Sequence, residues 1–302
     1  MKRARREEQG DQNRPRADLD LSESAATAGR DPSTSPTGAR TGHPADGGDL
    51  FGGQALAQGY ADSRPRFHGQ VIAQVRSALG LAPSDVLERA LDVGCGAGLS
   101  TSPLRELARQ VVGVDGSPDM VAVARDEPAV WHLAAAAEHL PFEARSFELV
   151  AVSGAINWID RGRFLPEAHR VLRGSGWLVV YDGAEQGAMA GEPAFRDWYR
   201  ERYLARLPRP PRDESILSDE EARGAGFRAT QRQTYALEWP FDLGAYVEFM
   251  LTQSNVTDAV REGRESVDGV RGWLCDSLAP LFGEGERGLL FGGYIWILER
   301  NA

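Results

Sequence analysis

Three glycines at alternate positions open the one stretch of this chain with an evident ligand chemistry, Asp92-Val93-Gly94-Cys95-Gly96-Ala97-Gly98. Glycine adds no side chain and adopts backbone angles closed to other residues, so such a turn lets the main chain approach a bound molecule. By itself the turn is equally compatible with a structural role. Asp115, 21 positions after Gly94 at the end of a second apolar run, changes that reading. A carboxylate there can accept hydrogen bonds from both hydroxyls of a ribose. A dinucleotide fingerprint, Gly-x-Gly-x-x-Gly, requires glycine where Leu99 stands, so a nicotinamide dehydrogenase is disfavoured.

The elements that must position these residues alternate along the chain. Val71, Ile72, Val75 and Leu79 recur at helical spacing before Gly80. Residues 90–93 read as a buried strand, followed by the glycine turn and a helix through Leu104 and Leu107. Residues 110–114 give a second strand, and Ser117-Pro118 caps and starts the next helix. Strands follow at 130–133, 147–152 and 177–181, with a helix carrying Phe164, Ala168, Val171 and Leu172 before the last of them. This order predicts an α/β fold with a doubly wound, mostly parallel sheet, and ligands on such sheets bind beyond the carboxyl ends of the strands. After Asp182 the alternation fails: a helical run with Phe195, Trp198, Tyr199 and Tyr203 ends at Leu207-Pro208-Arg209-Pro210-Pro211. Residues 184–224 are expected to form an inserted helical cap. Two long strands, 227–239 and 289–298, then flank helices at 246–251 and 267–281.

The segment Val112-Gly113-Val114-Asp115-Gly116-Ser117-Pro118-Asp119-Met120 and the segment Ala137-Glu138-His139-Leu140-Pro141-Phe142 follow the glycine loop in order. Together they resemble the cofactor motifs of class I S-adenosylmethionine (SAM) dependent methyltransferases of the broad small-molecule group, over about residues 51–182. Tyr60-Ala61-Asp62-Ser63-Arg64-Pro65 resembles the amino-terminal element that folds over the cofactor in that family, and the likeness extends to trans-aconitate methyltransferase-like enzymes. The resemblance implies a Rossmann-like, seven-stranded fold and SAM as cofactor. It assigns cofactor contacts to Tyr60, Arg64, Asp92, Gly94, Gly96, Gly98, Asp115, Gly116, Met120, Ala137, Glu138 and Ser153. Arg64 is placed to pair with the cofactor's carboxylate or to make an ordinary ion pair, and Tyr60 to cover the cofactor or to pack.

Many members carry His-Trp-Phe after the fourth strand, where this chain has Asn157-Trp158-Ile159, so no histidine base is transferred to it. Asn157, Trp158 and Trp198 are candidate walls of the substrate pocket, with plain packing the alternative for both tryptophans. No side chain is assigned a catalytic role: methyl transfer is an in-line displacement in which alignment and exclusion of water dominate. A site without a base favours an acceptor that is already ionised.

Composition narrows the rest. A net charge of -10 argues against nucleic acid as partner, and the Asn-Pro-Pro-Tyr and Pro-Cys signatures of base-modifying methyltransferases are missing. No run reaches the length needed to cross a bilayer, and the two cysteines, Cys95 and Cys275, suit a reducing compartment, so a cytoplasmic location is expected. No metal-ligand spacing is present. Residues 1–49, rich in Gly, Ser, Thr, Pro, Asp and Arg, read as a disordered tail before a methyltransferase domain at 50–302. The partner expected is a small-molecule acceptor. The alternative is a SAM- or S-adenosylhomocysteine (SAH) binding regulator or assembly subunit without catalysis.

Overall fold

A computed structural model describes residues 53–125, 127–211, 215 and 217–301; the tail expected at 1–49 lies outside them. In chain order the larger elements are α1 (Gln54–Ser63), α2 (His68–Ala78), β1 (Leu87–Val93), β2 (Ala108–Asp115), α3 (Pro118–Ala122), β3 (Val130–Ala134), β4 (Phe147–Ser153), α4 (Arg161–Val171), β5 (Leu172–Tyr181) and β6 (Ala184–Met189). Then come α5 (Ala194–Asp197), a π-helical stretch at Trp198–Tyr203, α6 (Leu204–Arg206), α7 (Asp219–Gly224), β7 (Phe227–Phe241), α8 (Leu243–Leu251), α9 (Ser254–Arg261), α10 (Val267–Phe282) and β8 (Arg287–Arg300).

The strands form one sheet in the order β3-β2-β1-β4-β5-β8, the first five parallel and β8 antiparallel to β5. Strand β8 is long enough to take two neighbours along one edge. Residues 295–299 pair with β5 and residues 289–292 with β6, while β7 pairs along the other edge. Alternating strand residues feed two cores. Ala90, Val111, Leu149, Ala151 and Val179 pack against Val71, Ile72 and Val75 of α2. Leu91, Val93, Val150, Val152 and Leu178 pack against Phe164, Leu165, Ala168 and Val171 of α4. With both faces covered, the central stretches Leu149–Val152 of β4 and Leu178–Tyr181 of β5 are apolar and buried throughout, as a parallel sheet demands. This is the doubly wound, Rossmann-like fold of class I methyltransferases.

Two elements differ from the sequence reading. The helix expected through Leu104 and Leu107 is only a 3-10 turn at Ser102–Glu106, because one tight turn buries an i, i+3 leucine pair as well as an α-helix does. The start of the expected cap, residues 184–189, is an eighth strand. Its sequence, Ala-Glu-Gln-Gly-Ala-Met, lacks the β-branched residues that mark strands, and pairing with β8 supplies the order instead. Helix α9 was also not anticipated. Among the described residues no helix is long and apolar enough to cross a membrane.

Helices α8 and α10 close the far end of the first core through Phe249, Tyr246 and Phe282, with the Tyr246 and Phe282 rings 5.5 Å apart. Phe282 is fully buried. Phe282→Ala is expected to lower the unfolding free energy by about 3–5 kcal/mol in urea titration, the usual cost of emptying an aromatic core site.

Candidate functional site

Strand register sets the first feature of the site. Val93 lies level with Val114 on one side and Val152 on the other. The next residue of each chain, Gly94, Asp115 and Ser153, therefore emerges in a row at the carboxyl edge, with Ser153 level with Tyr181. The N–H groups of Gly94 and Cys95 both donate to the carbonyl of Val114 (2.8 and 3.0 Å), which folds the glycine loop over the end of β2. Gly94 has φ +70°, and a Cβ on it would lie 2.3 Å from that of Ala155, so no other residue fits.

Asp115 holds the loop by its carboxylate. Oδ2 accepts from Gly96 N and Oδ1 from Ser117 N, both at 2.8 Å. Ser117 in turn caps α3 by accepting from Met120 N (3.3 Å). Asp92 sits beneath the loop, fully buried, and its Oδ2 accepts the hydroxyls of Ser100 and Thr101 at 2.7 Å each. Its Oδ1 has no hydrogen-bond partner among the described residues. Burial pushes the Asp92 carboxyl up to about 6, opposed by the two hydroxyl bonds and assisted by the nearby charge of Asp115.

Around this row lie two connected chambers, of about 190 and 400 Å³. They share Tyr60, Gly94, Gly96, Ser153, Gly154 and Trp158, which form the neck between them. The larger chamber is walled by Asp115, Gly116, Met120, the alanines at 135–137, Glu138 and Ile159. Glu138 is fixed there because its Oε1 accepts the N–H of Asp160 (2.9 Å). The smaller chamber runs from the neck past Arg64 and His68 to Glu185, Tyr199, Arg209 and Gln253.

Helix α1 lies across the neck and is tied at both ends. Gly53 N donates to Asp119 Oδ2 (2.7 Å) before the helix starts. Just after the helix, Arg64 donates to Oγ1 (3.1 Å) and the carbonyl (2.9 Å) of Thr252. The Arg64 guanidinium also stacks on Tyr60 (4.4 Å) and Phe249 (5.1 Å), so the Tyr60 ring is held over the glycine loop. Gln253 lines the smaller chamber beside it, and its buried Nε2 has no partner among the described residues. His68 Nδ1 lies 3.1 Å from the Tyr181 hydroxyl, and burial with the adjacent Arg64 charge pushes its imidazole down to about 4.

Most residues singled out in the sequence come together here. Gly98 does not line the cleft: it faces His132. Asn157 stands off the lining, and Trp198 is a core residue stacked between Tyr203 and Trp273 at 5.7 and 6.0 Å. Sequence reasoning missed Glu185 and Arg209. Only a glutamate in an otherwise apolar-and-small run hinted at the first, and the breaker at 207–211 hid the second.

Comparison with known proteins bears on this arrangement. Residues 91–180 match a family profile described as a methyltransferase domain. An uncharacterized methyltransferase of Mycobacterium tuberculosis is 41% identical over 193 residues, 62% of this chain and 73% of that protein. A ubiquinone/menaquinone biosynthesis C-methyltransferase of a Geobacter species is 30% identical over 132 residues, 40% of this chain and 54% of the relative. A solved structure of a candidate type II methyltransferase from Anaeromyxobacter dehalogenans shares the fold with TM-score 0.57 and 24% identity, covering 78% of this chain and 96% of its own. The chain belongs to the class I SAM-dependent methyltransferases.

Asp92 offers a check on the buried half of the site. Its carboxyl titrates near 6 in the folded chain against an ordinary 3.8, so the native state holds a proton that the unfolded state has released. The stabilisation this brings is present below the lower value and is lost as pH rises through the higher one. In urea unfolding, the stability of Asp92→Asn relative to wild type is expected to rise between about pH 4 and about pH 7, and an unchanged difference would contradict the assignment.

Proposed function

We propose that the chain transfers a methyl group from SAM to oxygen, nitrogen or carbon of a small acceptor, with the nucleoside in the larger chamber and the acceptor in the smaller one. The observation that carries this is the neck. One ligand reaching from Asp115 past Gly94 and Gly96 presents its far end to the second chamber, where Tyr60, Ser153 and Trp158 border both spaces. The residues present fit the group. A carboxylate at the ribose position, small alanine walls and Met120 for a flat base, and the unpartnered Gln253 Nε2 with Arg64 for a carboxylate are the donors and acceptors a SAM molecule requires.

When bound, SAM supplies a methyl carbon on a sulfonium, electrophilic without further activation. The chain's own residues orient and enclose. Asp115 takes the ribose hydroxyls, while Gly116, Met120, Ala137 and Glu138 surround the base. Ser153 and the glycine loop border the amino-acid portion, and Tyr60 on its anchored helix keeps water from the neck. Asp92 supports the loop from below. Ala184, Glu185, Tyr199 and Arg209 border the acceptor chamber from the region after β5.

The acceptor is a small molecule in this reading. The Tyr60-to-Pro65 element supports a place beside the trans-aconitate methyltransferase-like enzymes. The Geobacter relative supports carbon as a possible methylated atom.

Calorimetry with SAH tests the cofactor half. Asp115→Ala is expected to weaken SAH at least about tenfold, the equivalent of 1.5–3 kcal/mol for bonds to a charged acceptor, and NADH is expected not to compete. Equal affinity in the variant would remove Asp115 from the site. SAH binding without methyl transfer to any of a panel of small metabolites would favour a non-catalytic binder.

A further inference from the structure

We propose that Glu185 is the base of the acceptor chamber, removing the proton of a phenolic or enolic hydroxyl as the methyl group is transferred, with Tyr199 and Arg209 as the residues that position it. This rests on the reading of the smaller chamber as the acceptor site.

The chain is shaped to bring these groups together. Strand β6 is irregular between Glu185 and Met189, where its register with β8 shifts. At the irregularity stands Gly187 with φ +63°, and a Cβ there would lie 2.5 Å from the Tyr199 ring. Glycine alone lets that ring lie flat on the strand beside Glu185. Tyr199 itself is carried by the π-helical stretch at Trp198–Tyr203, a costly geometry that recurs at functional sites because it redirects side chains. The Tyr199 hydroxyl and the Arg209 guanidinium both stand near the Glu185 carboxylate and favour its ionised form. Gly187 N donates to Glu185 Oε1 (2.8 Å).

Glu185 is 8% exposed, and that exposure opens into the chamber. Among the described residues, the titratable groups that interact with it are Tyr199 and Tyr203 from the π-helical stretch, Tyr246 from α8 and the cation Arg209 from the segment after α6, and Arg64 and His68 line the same chamber. Burial pushes the carboxyl up to about 7, with the Tyr199 hydroxyl, the Gly187 N–H and the Arg209 charge resisting. A carboxylate so placed is basic enough to take a proton, half ionised near neutrality and increasingly ionised above it, the condition a general base requires.

The walls say what acceptor fits. Tyr60 and Trp158 give the chamber aromatic sides at the neck, and Arg64, His68, Ser100, Asp182 and Gln253 make the rest of the lining polar, which suits a flat ring bearing hydroxyl groups. In the proposed step the O–H bond breaks and its proton passes to the Glu185 carboxylate. The new bond forms between the methyl carbon and the acceptor oxygen, or the ring carbon activated by it. The carbon–sulfur bond breaks, and sulfur keeps the pair as neutral SAH. Transfer to carbon releases one further proton, from that carbon, to solvent. This gives the chamber the base that the residues after β4 do not supply, and it replaces the expectation of a pre-ionised acceptor.

The experiment compares wild type, Glu185→Gln and Glu185→Asp, each first shown to bind SAH. Equal SAH affinity separates this proposal from the cofactor reading, since failure of that reading removes SAH binding from all three. Infrared difference spectra of the SAH complexes, wild type minus Glu185→Gln, are expected to show a protonated carboxyl band that disappears as pH rises through about 7. The band of Asp92, which titrates near 6 and is identified with Asp92→Asn, is common to both proteins and cancels in the difference. With 1-naphthol and hydroquinone as acceptors and labelled SAM as donor, wild-type kcat/KM is expected to rise with pH through the same range. Glu185→Gln is expected to lose about a hundredfold or more and the pH inflection with it, while Glu185→Asp keeps part of both. A Gln variant within threefold of wild type, a variant that only loses stability and keeps the inflection, no carboxyl titrating near neutrality, or no turnover of either phenol by wild type would each overturn it.

Discussion

Parallel pairing of β1 between β2 and β4 is the constraint on which everything else in this structure rests. It leaves the strands no unpaired edge at the centre and covers both faces with helices. At the carboxyl edge, backbone and side-chain polar groups of the central strands remain available. There the register puts Gly94, Asp115 and Ser153 abreast. The glycine loop needs no other scaffold, since the Val114 carbonyl and the Asp115 carboxylate tie three of its N–H groups to β2.

Three carboxylates in this region stand in three environments, and the contrast organises the electrostatics. Asp115 is partly exposed and receives two backbone N–H groups, which suits a fixed acceptor of hydrogen bonds. Asp92 is sealed under the loop with two hydroxyl donors and no cation bonded to it, so burial raises its affinity for a proton. Glu185 is also buried, but its accessible side faces a chamber and a tyrosine and an arginine stand behind it. The same side-chain chemistry thus serves as anchor, as support and, in the proposal above, as proton acceptor.

The division of the cleft follows from how the chain is tied across it. Helix α1 is fastened to α3 through Asp119 at one end and to the end of α8 through Thr252 at the other, so Tyr60 is held at the neck. On the far side, β8 is long enough to carry β6 beyond β5, and β6 brings Glu185 to the smaller chamber. A strand of six residues thus reaches the cleft from beyond the parallel part of the sheet.

Much of the cleft at the carboxyl edge was legible in the residues alone. Alternate glycines after a buried strand, an aspartate at the end of the next strand and an Ala-Glu pair after the third are local features, and the parallel sheet converts their sequence spacing directly into spatial order. Tyr60 and Arg64 were legible as a motif. That Arg64 is clamped by Thr252 instead of lying in an exposed ion pair was decided by α8, nearly two hundred residues away in the chain. The placement of Trp198 in the core, of Gly98 against His132, and of Glu185, Tyr199 and Arg209 around one chamber came only with tertiary structure. None of these three polar residues belongs to a periodic pattern. Their meeting depends on a strand irregularity, a glycine at φ +63° and a π-helical stretch, and each is a non-local solution to packing that leaves no repeating signal in the order of residues.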